Sequence, residues 1–212
     1  MESIQMAALA LVGGWATGLN LYLTAAALGV AHRLHWIVLP GNLEILGNPV
    51  VIFFAVLLYL IQFVIDKIPF LDSAWDSVHT FIRPVGGAAI ASMAFSDSPE
   101  SLQYAVAAIA GAASLNAHLG KAGTRVMINT SPEPFSNSAA SVAEDGIVLG
   151  MLWLIFKHPL IALILVILFA AFIVWLIPKV FRFIKKFFQM LAGKKKDPAV
   201  VSIPVTKPID LD

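Results

Sequence analysis

Two adjacent carboxylic acids stand beside an apolar run that is too short to cross a membrane by itself. The run Gly146–Phe156 has eleven residues, whereas a helix rising 1.5 Å per residue needs about 20 residues to cross about 30 Å of hydrocarbon. A crossing helix must therefore include the preceding residues, among them Glu144 and Asp145. We expect a helix over 138–156 that brings both carboxyl groups to the inner edge of the bilayer, where an unpaired charge is costly.

The two acids allow two interpretations. In the first, one of them faces the interior and binds or relays a cation or a proton, since adjacent helical residues point about 100° apart. In the second, both are solvated near the favourable N-terminal end of the helix dipole and are paired with Lys121 or Arg125. Asn20 and Asn116 extend the first interpretation, because each amide lies deep in an apolar segment. These amides either line the same pathway or form ordinary hydrogen bonds between helices.

A second group of candidate residues has the spacing of one helical face. Asp72, Asp76 and His79 follow an i, i+4, i+7 pattern, which permits joint coordination of a divalent cation. The alternative is the solvated face of an amphipathic helix over 70–83 that lies at the membrane interface. Asp66 is expected to be an ordinary helix end.

Three basic residues also share a face. His118, Lys121 and Arg125 are spaced i, i+3, i+7 and suit an anionic group, either a substrate or a lipid phosphate. The alternative is that they anchor the end of a span at the cytoplasmic surface.

The composition indicates an integral membrane protein. The 212 residues are 59% hydrophobic and 13% charged, with a mean hydropathy of +0.85, whereas soluble domains carry about 25% charged residues. The absence of cysteine excludes disulfides, thiolate metal sites and cysteine nucleophiles. The chain has no Walker, G-x-S-x-G or H-E-x-x-H motif, so we do not expect ATP-driven pumping by this chain alone. We also expect no cofactor, no nucleic-acid partner and no enzymatic activity.

The segments that position these residues predict an all-α, polytopic membrane helix bundle. About six transmembrane segments are expected, together with the interfacial helix over 70–83, which Pro84 should close. The predicted spans are 4–30, with glycines and Asn20 interrupting it, 50–65, 85–95, 102–119, 138–156 and 160–177. The transmembrane domain covers 1–192, ending in a basic amphipathic extension over 179–192, and the tail 193–212 is expected to be disordered in the cytoplasm.

The distribution of basic residues predicts the orientation. With six spans and both termini in the cytoplasm, twelve of the fourteen lysines and arginines are cytoplasmic, and only Arg33 and Lys157 lie outside. This asymmetry is what the positive-inside rule requires. The bilayer, including anionic lipids at the cytoplasmic face, is therefore an expected partner.

A short internal similarity suggests two inverted halves. The segment 18–26 matches 114–122 at four positions, including Asn20 and Asn116. Three spans separate the two copies, and an odd number inverts the second half, as in many secondary transporters. The halves would be 1–97 and 98–178, although four matches in an apolar chain can also arise by chance.

The residues also resemble a known family. Asp66-Lys67-Ile68-Pro69, Trp75-Asp76, Arg83-Pro84, Ser136-Asn137 and Glu144-Asp145 resemble the domain-of-unknown-function 4126 family of bacterial integral membrane proteins. The resemblance covers most of the chain up to about Pro178. It implies a multi-pass protein of a bacterial inner (plasma) membrane, and it implies no particular activity.

Three classes of function remain open. The first, which we favour, is a small transporter or channel for a cation or small polar solute, with Asn20, Asn116, Glu144 and Asp145 along the pathway. The second is a non-enzymatic membrane scaffold or lipid-interacting protein. The third is an intramembrane enzyme that uses the face of Asp72, Asp76 and His79 on a lipid headgroup. A thin bundle of six spans also makes a homodimer plausible.

Overall fold

A computed structural model describes residues 3–68, 70–129 and 134–192, and these residues form helices without any strand. The helices are α1 (Ser3–Arg33), a 3-10 helix (Gly41–Gly47), α2 (Pro49–Ile65), α3 (Leu71–Ala94), α4 (Glu100–Ile128), α5 (Pro134–Lys157) and α6 (Pro159–Ala192). The all-α prediction is thus confirmed for the described residues. The predicted disordered tail lies outside them.

Helix α1 is the centre of the bundle and packs against every other helix. Small residues permit its closest approach to α4, because a Cβ atom on Gly14 would lie 2.8 Å from the Ala110 Cβ. A Cβ atom on Gly18 would overlap the carbonyl oxygen of Ser114. Small residues on facing helices let two backbones approach in this way. The interruption predicted in the first span is found at Asn20, whose φ of −149° and ψ of 97° are not helical.

Helix α2 begins where the sequence places it. The Asn48 side chain caps the helix by accepting a hydrogen bond from the Val50 N–H at 2.9 Å, and Pro49 occupies the first turn. The preceding loop forms the 3-10 helix, whose Leu43 and Leu46 are buried against the bundle. The 3-10 helix and α2 meet at an angle of 69°.

The prediction that Pro84 closes an interfacial helix is wrong. Helix α3 continues through Pro84 to Ala94, so the amphipathic segment and the predicted third span are one helix of 24 residues. Proline is tolerated inside such helices when neighbouring helices support the interrupted turn. Here α4 packs against the turn at Pro84, where the Ser114 Oγ donates to the Arg83 carbonyl at 2.8 Å.

The polar face of α3 points into the protein. Its polar members are all 2% exposed or less: Asp72, Asp76, His79 and Arg83. On the opposite face Val78 is 59% exposed and Phe81 is 79% exposed. A solvated interfacial face was one of the two interpretations of these residues, and burial rules it out. A helix with its polar side inside and its apolar side outside is suited to surroundings of lipid.

Helix α5 includes both acids, as the length of its apolar run required. It begins at Pro134, ten residues before Glu144, and the turn at His158 separates it from α6. Helix α6 then continues through Pro178 to Ala192. The basic extension is therefore part of the same helix as the predicted sixth span.

The predicted six-span inverted repeat is not confirmed. Among the described residues, three helices are long and apolar enough to cross a membrane, namely α1, α5 and α6. A fourth crossing results if the 3-10 helix and α2 form one broken span. The two halves also differ where they should correspond, because α1 is broken at Asn20 whereas α4 contains Asn116 within a continuous helix.

Candidate functional site

The break in α1 is stabilised by polar side chains from neighbouring helices. Two backbone carbonyl groups beside the break accept hydrogen bonds, that of Gly18 from Arg83 Nη1 at 2.9 Å and that of Leu19 from Lys121 Nζ at 3.5 Å. The Asn20 Oδ1 accepts from the Leu23 N–H at 3.0 Å, so Asn20 acts as the N-cap of the second half of α1. The break therefore exposes polar backbone to charged groups inside the bundle.

Ion pairs surround this break. Lys121 Nζ lies 2.8 Å from Asp66 Oδ2 and 3.2 Å from Glu144 Oε2. Arg125 Nη2 lies 2.8 Å from the same Glu144 oxygen, and Arg83 Nη2 lies 3.0 Å from Asp76 Oδ1. We call the participating residues the ion cluster: Asp66, Asp76, Arg83, Lys121, Arg125 and Glu144. The most exposed of these side chains, Glu144, is 13% accessible, so the cluster is almost entirely withdrawn from solvent.

Two histidines, His79 and His118, form hydrogen bonds next to the cluster. Arg83 Nη1 lies 3.0 Å from His118 Nδ1, and a guanidinium can only donate, so His118 Nδ1 accepts and Nε2 carries the proton. That Nε2–H donates to Thr80 Oγ1 at 2.8 Å. His79 Nδ1 donates to the Trp75 carbonyl at 2.9 Å, and its Nε2 lies 2.9 Å from the Tyr22 hydroxyl oxygen. His118 is therefore a neutral imidazole, and both histidines belong to hydrogen-bond chains.

Asp145 is bound by neutral groups. Its Oδ1 accepts from Asn20 Nδ2 and its Oδ2 accepts from the Tyr59 hydroxyl, each at 2.9 Å. Within the described ranges no lysine or arginine nitrogen lies within 4.0 Å of it. The carboxyl group instead faces the capping residue of the second half of α1, where the helix dipole favours a negative charge.

A similar arrangement holds Asp72. Its Oδ1 accepts from Asn129 Nδ2 at 3.1 Å and from the Ser73 N–H at 2.7 Å. Asn129 in turn accepts from Asn137 Nδ2 at 2.9 Å, and the Asn137 carbonyl accepts from Arg125 Nη1 at 2.9 Å. This chain of amides connects the N-terminal ends of α3 and α5.

Among the residues that the structure describes, the site contains more acidic than basic side chains. Five carboxyl groups (Asp66, Asp72, Asp76, Glu144 and Asp145) lie in or beside the cluster with three basic side chains (Arg83, Lys121 and Arg125). Lys67 at the edge donates to the Phe63 carbonyl at 2.9 Å. A charge shielded from water must be paired, protonated or matched by an ion. The arrangement can therefore take up a proton or a small cation, and Asp145 is the acid best placed to do so.

Asp66, the residue after α2, shows which charge state the pairs favour. Burial raises the pKa of its carboxyl group, but Lys121, with Arg125 and Arg83, outweighs burial and lowers the pKa below its ordinary value. Asp66 is therefore ionised and paired in the folded protein. The sequence-based expectation that it is an ordinary helix end is wrong.

The predicted pathway residues are only partly brought together. Asn20 and Asp145 are hydrogen-bonded, and Glu144 lies in the ion cluster next to them. The pairing of Glu144 with Lys121 and Arg125 matches the second interpretation, but the solvation expected with it is absent at 13% accessibility. Asn116 lies elsewhere, donating to the Ala170 carbonyl of α6 at 3.4 Å.

The other two groups of candidates have partners within the protein. Asp72, Asp76 and His79 are bound to separate groups, and in the described part of the chain no set of three His, Cys, Asp or Glu residues has a geometry that could hold a metal ion. His118, Lys121 and Arg125 are buried and already bound to protein groups. They therefore do not form the surface anchor that was one interpretation of their spacing.

Tyr59 and Gln62 are two residues of the site that were not predicted from the sequence. Gln62 Nε2 donates to Asp66 Oδ2 at 3.3 Å, and Tyr59 binds Asp145 as described above. Tyr59, Gln62 and Asp66 recur at i, i+3 and i+7 in an otherwise apolar segment. A polar stripe of this kind on an apolar helix is the signal that would have found them.

These features define an all-helical protein, consistent with a membrane protein, that carries an ion cluster inside a largely apolar exterior. The model of the family DUF4126, a domain of unknown function, matches residues 7–179. The chain belongs to this family, which confirms the resemblance noted in the sequence. Comparisons with curated proteins and with solved structures found no match.

Proposed function

We propose that this protein is a small multi-pass transporter or channel that moves protons or small monovalent cations through the ion cluster. The observation that carries the proposal is Asp145, a partly buried carboxyl group that, among the residues the structure describes, is hydrogen-bonded by Asn20 and Tyr59 and has no lysine or arginine nitrogen within 4.0 Å. A carboxyl group without a basic partner can gain and lose a positive charge without breaking an ion pair. The break in α1 supports the same conclusion, since interrupted helices expose polar backbone at the sites of many transporters.

We further propose that α3 and α4 cross the membrane and that the 3-10 helix and α2 form one broken span, which together with α1, α5 and α6 gives six crossings. At 24 and 29 residues and 1.5 Å per residue, both exceed the thickness of about 30 Å. Their buried polar residues lower the average hydropathy, although the faces they turn outward are apolar. The proposed location is a bacterial inner membrane with both termini in the cytoplasm, as the positive-inside rule favours.

The test is a flux measurement in proteoliposomes. The wild type should move protons, Na⁺ or K⁺ faster than protein-free vesicles, whereas Asp145→Asn should abolish the movement and retain the gel-filtration profile. Asp97→Asn is the matched control, because Asp97 lies in the exposed turn between α3 and α4. Wild-type rates equal to those of empty vesicles for all three cations, or full activity of Asp145→Asn, would overturn the proposal.

A lipid-interacting scaffold is the second candidate, and one observation favours it. The C-terminal part of α6 carries exposed basic residues at Lys179, Arg182, Lys185 and Lys186, which suit an anionic membrane surface. This candidate predicts that reversing these charges weakens binding to anionic vesicles, while Asp145→Asn changes nothing measurable.

A further inference from the structure

A cleft lined mainly by polar residues lies between α3 and α4 and reaches two members of the ion cluster, Asp76 and Arg125. Its volume is about 130 Å³, and its lining includes Ser73, Asp76, Ser77 and Thr80 of α3 and Arg125 of α4. A buried water molecule needs roughly 10–15 Å³ of such space, so the cleft has room for several water molecules. Ser77 is exposed, whereas Asp76 and Arg125 are buried. The cleft therefore has an outer and an inner end.

Two charged groups at the inner end have atoms without a partner among the described protein groups. Asp76 Oδ1 is paired with Arg83, but Asp76 Oδ2 accepts no hydrogen bond. Arg125 Nη1 and Nη2 bind Asn137 and Glu144, but Arg125 Nε donates none. Buried polar atoms of charged groups are nearly always satisfied, by ordered water where protein partners are lacking. Asp76 and Arg125 both line the cleft, so the acceptor and the donor that lack protein partners point to bound water beside it.

We infer that the α3–α4 cleft is filled with water and is the cytoplasmic entrance through which protons or hydrated cations reach the ion cluster. Its role as an entrance rests on the proposed function, whereas its hydration does not. From Arg125 the ion pairs continue inward as far as Asp66. Arg125 binds Glu144, Glu144 binds Lys121, and Lys121 binds Asp66. Asp145, the proposed carrier, follows Glu144 in α5.

The residues that line the cleft favour hydrated protons or hydrated cations over a dehydrated metal ion. Serine and threonine residues and Asp76 line the cleft, but the positively charged Arg125 lines the same space. A fixed positive charge opposes a dehydrated cation, while water can bridge both groups. Ala122 and Val126 close the α4 side with small apolar groups.

Because the chain contains no cysteine, single-cysteine labelling tests this inference directly. Ser77→Cys probes the mouth and Ser73→Cys the wall, whereas Val78→Cys and Phe81→Cys are matched controls on the outward apolar face of α3. A membrane-impermeant cationic thiosulfonate reacts with thiolates, which form in water and not in lipid. In inside-out vesicles the two cleft cysteines should react at least about tenfold faster than the two control cysteines. All four cysteines should react completely once a denaturing detergent has unfolded the protein. Ser73→Cys reacting no faster than Phe81→Cys would overturn the inference.

A flux measurement on the labelled protein separates this inference from the proposed function. Modification of Ser73→Cys should block the flux, and modification of Phe81→Cys should leave it unchanged. If labelled Ser73→Cys transports at the unlabelled rate, the cleft is not the entrance even though transport stands. If the unlabelled protein shows no flux while Ser73→Cys still reacts, transport fails and the water-filled cleft remains.

Discussion

The Lys121 ammonium lies 2.8 Å from the Asp66 carboxylate, and both side chains are almost completely buried. The same ammonium contacts Glu144 at 3.2 Å and the Leu19 carbonyl at 3.5 Å. One side chain of α4 thus connects the end of α2, the middle of α5 and the break in α1. The site and the packing of four helices therefore depend on the same charge.

Replacing that charge should destabilise the protein strongly. Lys121→Met leaves Asp66 buried without its ion pair, and breaking such a pair typically costs about 3–5 kcal/mol. Adding Asp66→Asn should recover part of this loss, because the unpaired carboxylate is then removed. Denaturant unfolding in detergent measures both effects. Lys157→Met, at an exposed position, is the control, and a loss no greater than that of the control would contradict the role given to Lys121.

Removing one hydroxyl group should affect Asp145 without disturbing the ion cluster. Tyr59→Phe deletes the donor at 2.9 Å from Asp145 Oδ2, which leaves an acceptor unsatisfied at about 1–3 kcal/mol. We expect a change in cation flux with the fold retained, measured in proteoliposomes and by gel filtration. Tyr104→Phe is matched to it, because Tyr104 is exposed and its contact with Glu100 is weak at 3.5 Å. Equal flux in the two variants would remove Tyr59 from the site.

The closest approach of α1 and α4 should not tolerate a methyl group. Gly18→Ala would place a Cβ against the Ser114 carbonyl oxygen, and overpacking of this kind typically costs about 1–3 kcal/mol. Gly150→Ala is the control, since a Cβ there meets nothing within 4 Å and alanine favours a helix. Thermal unfolding in detergent should place the two variants on opposite sides of the wild type. A neutral Gly18→Ala would mean that the two helices are not packed this closely.

The outward face of α3 should lie in lipid. A nitroxide attached to Phe81→Cys should collide with dissolved oxygen more often than with a water-soluble nickel complex, because oxygen concentrates in the hydrocarbon. A nitroxide on Asp97→Cys, in the exposed turn after α3, should show the reverse preference. If the nickel complex reaches the label at Phe81→Cys more readily, the outer side of α3 is in water and the proposed crossing by this helix is wrong.

Local patterns in the chain predicted much of the secondary structure. The start of α2 follows from Asn48 and Pro49, whose capping oxygen and fixed φ favour a first helical turn. The helix that includes Glu144 followed from the length that a crossing requires. The break at Asn20 followed from a polar residue after glycine in an apolar segment. Each of these depends on residues close together in sequence, and each is found in the structure.

The partners of the charged residues could not be predicted in the same way. Asp66 is adjacent in sequence to Lys67, but it is paired with Lys121 of α4. Pro84 has the local signature of a helix end, yet α4 packs against that turn and the helix continues. Asn20 and Asn116 share a local motif, but one breaks its helix and the other does not. Such outcomes are decided by contacts between segments distant in the chain.

The periodicity of α3 shows the division between sequence and tertiary structure. The spacing of Asp72, Asp76 and His79 by itself determined that their side chains share one face, because a helix has 3.6 residues per turn. It did not determine whether that face turns to solvent or to the interior, since an amphipathic pattern is the same in both orientations. Only the tertiary packing supplied the partners from other segments that help to make it favourable to bury these groups, Tyr22 of α1 for His79 and Asn129, the residue after α4, for Asp72.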